Sequence, residues 1–207
     1  DKFSDCKPIL YAGACLPQSG LFFRLLFKAA QELRLEGTWN SHICFFFVGT
    51  GNYQHKSIKS YAKESGVEDI VVEVRERKPF LHILNYLDAA WRVIVIGNTE
   101  RHYTASKIFQ SLLSKRPVFA MFHEESSAVN IMKEVNAGKF TFSYSEQMTE
   151  EDIIDKLKLM FTEFVKEDIH WKPDLQKLDK YSARNSARLL VEKLNKIVER
   201  GTTNLHL

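Results

Sequence analysis

Six short runs of aliphatic and aromatic residues punctuate the chain, and they constrain its fold more than any other feature. They lie at 8–13 (PILYAG), 42–49 (HICFFFVG), 69–74 (DIVVEV), 92–97 (RVIVIG), 117–122 (PVFAMF) and 139–143 (KFTFS). Most are nearly continuous in apolar residues rather than alternating, which is how strands buried on both faces of a parallel sheet read. Between them, residues 21–35, 54–65, 79–90, 105–114 and 127–136 carry apolar residues at helical spacing. Repeated strand–helix–strand units predict an α/β fold, a Rossmann-like three-layer domain with a mostly parallel sheet of about six strands and right-handed crossovers. Gly13, Gly49 and Gly97 stand where strands should end, and Gly66 follows a helix.

After Ser145 the pattern becomes helical only. Thr149 is a good N-cap, with Glu150, Glu151 and Asp152 in the first turn where the macrodipole favours acids. Ile153, Leu157, Met160, Phe161 and Phe164 mark one apolar face, and a loop with Trp171 and Pro173 leads to a last helix over about 182–199. The expected organisation is a single Rossmann-like domain over 1–207 with a helical tail over about 149–200.

Composition narrows the function classes. Of 207 residues, 29 are Lys or Arg and 26 Asp or Glu, so a net charge of +3 gives no push toward nucleic acid. The three cysteines, Cys6, Cys15 and Cys44, are too few and scattered for a disulfide scaffold and lack zinc spacing, so a reducing, cytoplasmic setting is the default expectation. The densest apolar run, 43–48, is far short of the roughly 20 residues of a transmembrane helix. The helix containing Leu21, Phe22, Phe23, Leu25, Leu26 and Phe27 is apolar around much of its circumference. Burial between sheet and helices explains it, and a membrane or partner surface is the alternative. The chain starts at Asp1 and enters a strand-like run almost at once. A piece of a longer protein and a processed terminus both account for that start.

In open parallel sheets ligands bind beyond the carboxyl ends of the strands. That points to the loop at 98–104 and the helix after it. With Thr104 as N-cap, the amides of Ser106 and Lys107 face the loop, and Lys107 and Gln110 fall together on the polar side with Ser106. Amides, an ammonium and a carboxamide suit a phosphate beside a hydroxyl-bearing group. A capped surface helix with a solvated Lys and Gln has the same pattern.

The segment 103–118, YTASKIFQSLLSKRPV, is similar to the nucleotide-sugar-binding segment of GT-B glycosyltransferases, which runs Pro-Ser-Lys-Leu/Ile-Phe/Tyr-Glu-Tyr-Leu-Ala-x-Gly-x-Pro-Val. Tyr11-Ala12-Gly13 through Pro17 and Gly20 resembles the opening strand and glycine loop of that family's C-terminal, donor-binding half. Phe47-Val48-Gly49-Thr50-Gly51 resembles a later strand end, and 84–90 (LNYLDAA) the helix before the fourth strand. The ordered set spans about residues 8–200. It implies a hexosyltransferase-like enzyme that moves a sugar from a nucleoside diphosphate sugar to an acceptor hydroxyl, without a further cofactor. It implies a donor site containing Gly13, Thr104, Ser106, Lys107 and Gln110, with Arg77 in the stretch 75–79 near the nucleobase. It also implies a partner, the N-terminal Rossmann-like acceptor domain of the same protein, without which this chain is expected to be inactive. No general base is assignable. Peripheral membrane contact stays open.

The departures from the family pattern are specific. Ala14 and Ser19 stand where many retaining members carry Arg and Lys, and the family's paired glutamates map onto His102 and Gln110. A non-catalytic interaction module with an eroded donor site is therefore the alternative reading. A sugar-nucleotide epimerase shares the architecture but needs more acid–base residues. His123 and Glu125, after the 117–122 strand, are sugar-pocket candidates by resemblance. A metal there lacks a clear third ligand, and helix-dipole pairing explains Glu124 and Glu125, so no metal is expected. Gly49-Thr50-Gly51 lacks the remaining elements of a dinucleotide fingerprint, and P-loop, nucleophile-elbow and zincin motifs are absent.

Overall fold

The computed structural model describes residues 5–51, 56–103 and 105–203, with side chains as far as 198. The chain divides after Pro173 into a larger unit and a smaller one, 174–207. In the larger unit six parallel strands form one sheet: β1 (Lys7–Ala12), β2 (Ile43–Val48), β3 (Val71–Val74), β4 (Arg92–Ile96), β5 (Val118–His123) and β6 (Thr141–Tyr144), in the order β3-β2-β1-β4-β5-β6. Six helices join or follow them: α1 (Gly20–Leu35), α2 (Ile58–Glu64), α3 (Phe80–Ala89), α4 (Lys107–Leu113), α5 (Ser127–Glu134) and α6 (Glu150–Phe164). The α/β Rossmann-like reading of the apolar runs is thus correct, and the strands fall within about two residues of their expected bounds.

The two-residue period of β1 explains the layering. Ile9 and Tyr11 point to one face, where the Tyr11 ring meets Phe23 of α1 edge-on at 5.8 Å and Phe47 of β2 at 5.6 Å. Leu10 points to the other and shares a cleft with Tyr86 and Ala89 of α3. The all-round apolar α1 is accounted for by burial: Phe22, Phe23, Leu25 and Phe27 have no exposed surface. Helix α6 closes this side. Its Phe161 stacks on Trp39 with ring planes 4° apart, and Phe164 packs against Phe119 and Phe140. Arg24 and Lys28 of α1 pair with Glu150 at 2.8 and 2.9 Å.

Thr149 caps α6 as its sequence predicts: its hydroxyl accepts from the Asp152 amide, and the Asp152 carboxylate returns to the Thr149 amide in a capping box. Two other starts differ. Helix α2 begins at Ile58 with Ser57 as its cap, the Ser57 hydroxyl accepting from the Ser60 amide. Helix α4 begins at Lys107 with Ser106 in the cap position and no side-chain capping bond. Thr104, the expected cap, lies outside the described residues.

The cysteine expectation also changes. Cys6 and Cys44 are joined as a disulfide between the starts of β1 and β2, with Cα atoms 6.0 Å apart, and Cys15 is a buried thiol outside it. Thirty-eight residues separate the pair in sequence, but the parallel register sets Pro8 opposite Cys44 and brings Cys6 alongside. No helix among the described residues is long and apolar enough to cross a membrane.

Candidate functional site

The strand order reverses between β1 and β4, which leaves a crevice beyond their carboxyl ends. A cleft of about 400 Å³ opens there. Its walls are Ala12, Gly13 and Ala14 after β1, Val48 and Gly49 after β2, Arg77, Lys78, Phe80 and Ile83 around the start of α3, and Lys107 and Gln110 on α4. Three of these residues are cationic and none is acidic.

Local structure holds this shape. Gly49 turns the chain with φ +73°, a conformation that suits glycine, and donates its amide to the Val74 carbonyl at 2.8 Å. The Gly51 amide donates to Arg75 O, and Arg75 Nε returns a bond to Gly51 O at 3.0 Å, so the turns after β2 and β3 are laced together. Glu73, the nearest acid on β3, is already engaged. It accepts from the Thr50 hydroxyl at 2.7 Å and from the amides of Ile58 and Lys59 at the start of α2. Its charge is thereby spent on the α2 terminus.

Lys107 is the central group. Its side chain lies across Gly13 so closely that a Cβ built there would stand 1.8 Å from Nζ and 2.2 Å from Cε. Nζ sits 5.3 Å from the centroid of the Tyr11 ring, a cation–π approach, while the Tyr11 hydroxyl donates to Ala14 O at 2.7 Å. Burial, and then the positive charge of Arg77, lower the Lys107 pKa from 10.5 to about 8, with Cys15 opposing the shift. Burial and the charge of Glu73 in turn push the Cys15 thiol up to about 11, so it is a packing group rather than a thiolate. An ammonium held out of water beside a second cation is poised to gain from an anion.

Of the residues named from sequence, Gly13, Arg77, Lys107 and Gln110 line this one cleft. Ser106 is exposed and borders the neighbouring groove between α3 and α4, which Gln110 and Phe80 also line. The amides of Ile108 and Phe109 donate back to Ala105 O and Ser106 O, so the helix start is occupied by its own turn and the cationic side chain carries the site. Lys78 belongs to the stretch singled out near the nucleobase. It is ion-paired with Glu76 at 2.5 Å, and that contact raises its pKa. Phe80 and Ile83 were not anticipated. Phe80, 62% exposed directly after Pro79, is the legible signal: a large aromatic at the mouth of a strand-edge loop.

His123 and Glu125 lie elsewhere. His123 has no exposed surface; its Nδ1 accepts from the Glu125 amide at 3.1 Å, so Nε2 carries the proton and donates to Glu146 at 3.1 Å. Glu125 is exposed and pairs with Arg101 at 3.3 Å, and Arg101 also reaches Glu146 at 3.4 Å. The His123 hydrogen bond and Arg101 help hold the Glu146 carboxyl below its usual range, after a backbone hydrogen bond of its own. Neither residue lines the cation cleft. His102 is exposed in a turn. Among the described residues no group of three or more His, Cys, Asp or Glu side chains could hold a metal.

No protein-family model matches the chain, and no curated protein does. Solved structures do match. An α,α-trehalose 6-phosphate synthase from Burkholderia multivorans is similar over 99% of this chain and 45% of its own, with a TM-score of 0.70 and 8% identity. TarM is similar over 92% of this chain and 35% of its own, with a TM-score of 0.54 and 18% identity. A UDP-forming α,α-trehalose-phosphate synthase from Burkholderia xenovorans covers 81% of this chain and 38% of its own, with a TM-score of 0.53 and 8% identity. The fold is therefore one shared with GT-B glycosyltransferases, and the chain spans less than half the length of the structures it matches.

Proposed function

We propose that this chain is the donor-binding half of a glycosyltransferase and holds a nucleoside diphosphate sugar in the cleft between β1, β2, α3 and α4. One observation carries the reading: the crevice at the strand-order reversal is lined by Arg77, Lys78 and Lys107 with no acid, and the Lys107 ammonium is desolvated over Gly13. The diphosphate lies against Lys107 and Arg77, and Gln110 accepts or donates to a ribose hydroxyl. Arg77 thus takes a phosphate role in place of the nucleobase neighbourhood the resemblance implies. It supplies one of the cations missing at Ala14 and Ser19.

In catalysis these cations stabilise charge as it grows on the departing diphosphate, an interaction stronger in the transition state than in the ground state. The acceptor contacts and any general base belong to a second Rossmann-like domain, so this chain alone turns over no nucleotide sugar.

Calorimetric titration with UDP, GDP and ADP tests the reading. One of them binds, and Lys107→Ala weakens that binding by about ten- to a hundredfold, the worth of a hydrogen bond to a charged group. A folded chain that binds none of the three is the interaction module instead.

A further inference from the structure

The sheet face opposite α1 carries a second opening. Along β2, Phe45 and Phe47 lie against Phe27 of α1 and have no exposed surface, whereas Phe46, which points the other way, stays partly exposed. Phe46 shares the floor of a groove with Leu10 of β1, Val48 of β2 and Val74 of β3, and Tyr86 and Ala89 of α3 wall it. A parallel sheet is normally covered on both faces, so an open apolar floor beside a helix calls for an occupant. The groove holds about 340 Å³, within the range of small-molecule sites.

Shape and charge give it a direction. One end lies at Cys6, just before β1, and the other at Lys78, past the end of β3. It therefore follows the strands for roughly 20 Å, the span of a six-residue strand such as β2. That volume spread over that length suits one extended chain rather than a ring system. Lys78 is the one cation among the lining residues, and no acid is among them. Its partner Glu76 is 75% exposed, and an exposed pair of this kind yields to an incoming anion at little cost. Lys78 and Val48 also line the cation cleft, so the charged end of the groove adjoins the cleft of Arg77 and Lys107.

We propose that this groove binds a single-chain aliphatic phosphate, with its methylenes along Leu10, Phe46, Val48 and Val74 and its phosphate at Lys78. A peptide segment laid on the same floor would bring backbone amides and carbonyls against side chains that offer them no hydrogen-bond partner. A methylene chain brings none, and its anionic head meets a cation at the one end that has one. The proposal stands on the groove itself and does not depend on nucleotide binding.

Calorimetric titration of the whole chain with dodecyl phosphate, below its micelle concentration and without nucleotide, tests it. Dodecyl phosphate binds at one site, and octyl phosphate binds more than tenfold more weakly, since each buried methylene is worth about fourfold. Dodecyltrimethylammonium, with the same chain and the opposite charge, does not bind in that range, and neither does inorganic phosphate. Ala89→Trp, at an exposed position lining the groove, fills it and abolishes binding, while circular dichroism and thermal unfolding show that the fold is kept. Lys78→Gln leaves the groove open and weakens binding by about tenfold, the worth of one charge-assisted contact. No binding of dodecyl phosphate, equal binding of the cationic amphiphile, undiminished binding to Ala89→Trp, or a concentration-dependent dimer that Ala89→Trp dissolves would each overturn the proposal.

Discussion

Two places on the carboxyl edge of the same sheet carry charged and titratable residues, and they behave oppositely. Beyond β1 and β2 the cleft gathers Arg77, Lys78 and Lys107 without an acid among its walls. Beyond β5, His123, Glu125, Glu146 and Arg101 form a closed circuit of hydrogen bonds and ion pairs around a fully buried imidazole. Position at a sheet edge is therefore not enough to make a ligand site. What separates the two is the Lys107 ammonium: Lys78 is paired with Glu76, but Lys107 is desolvated in a cleft with no acid among its walls. The charges of the second cluster are paired among themselves; the first has a desolvated ammonium whose cost an anion would offset.

The sharpest way to break this contrast is Gly13→Val. The atoms in its way are the far end of a flexible side chain, Nζ and Cε of Lys107, so the fold survives while the ammonium is pushed out of the cleft. Nucleotide affinity falls by about tenfold or more, the worth of one charge-assisted contact. Thermal unfolding by circular dichroism checks that the fold is kept, and calorimetry reads the loss.

The pH dependence is the next largest effect, and its two signs are opposite. Nucleotide affinity is steady below pH 8 and then declines by up to about tenfold per pH unit as Lys107 loses its proton. Folding stability moves the other way. The folded pKa of about 8 lies below the 10.5 of the unfolded chain, so between those values the unfolded state binds more protons and the Lys107 contribution to stability rises with pH. Titrations and urea melts across pH 7 to 10 on the wild type and Lys107→Met, roughly isosteric and uncharged, should show both trends only in the wild type.

The smallest effect on binding belongs to the closed cluster. His123→Ala leaves nucleotide affinity unchanged while costing about 2 kcal/mol in urea unfolding, because it opens a cavity and leaves the Glu125 amide without its acceptor. A loss of affinity in this variant would move the sugar pocket back to β5.

The elements were readable because their signals are local. Apolar runs mark β1 through β6, and Thr149 followed by three acids marks the capped start of α6 within four residues. The candidate site was readable only in part. Lys107 and Gln110 share a helix face and so announce each other, but nothing local says that Lys107 crosses Gly13, 94 positions earlier, or that Arg77 stands close enough to shift it. His123 looked available because it ends a strand at the functional edge. Its Nε2 partner is Glu146, arriving from beyond β6, which no spacing near His123 encodes.

Sequence alone therefore determined the strand–helix alternation, the parallel sheet it implies and the residue types at the strand ends, since these follow from side-chain period and backbone preference within a few residues. Tertiary structure decided which of those ends face one another. The register that sets Pro8 beside Cys44 also pairs Cys6 with Cys44, and the strand-order reversal gathers the cations of the loop before α3 and of α4 in the cleft at Gly13. Burial then made the final selection. Charges that found partners on folding became structure, and the ammonium left desolvated between Tyr11, Gly13 and Arg77 became the candidate for function.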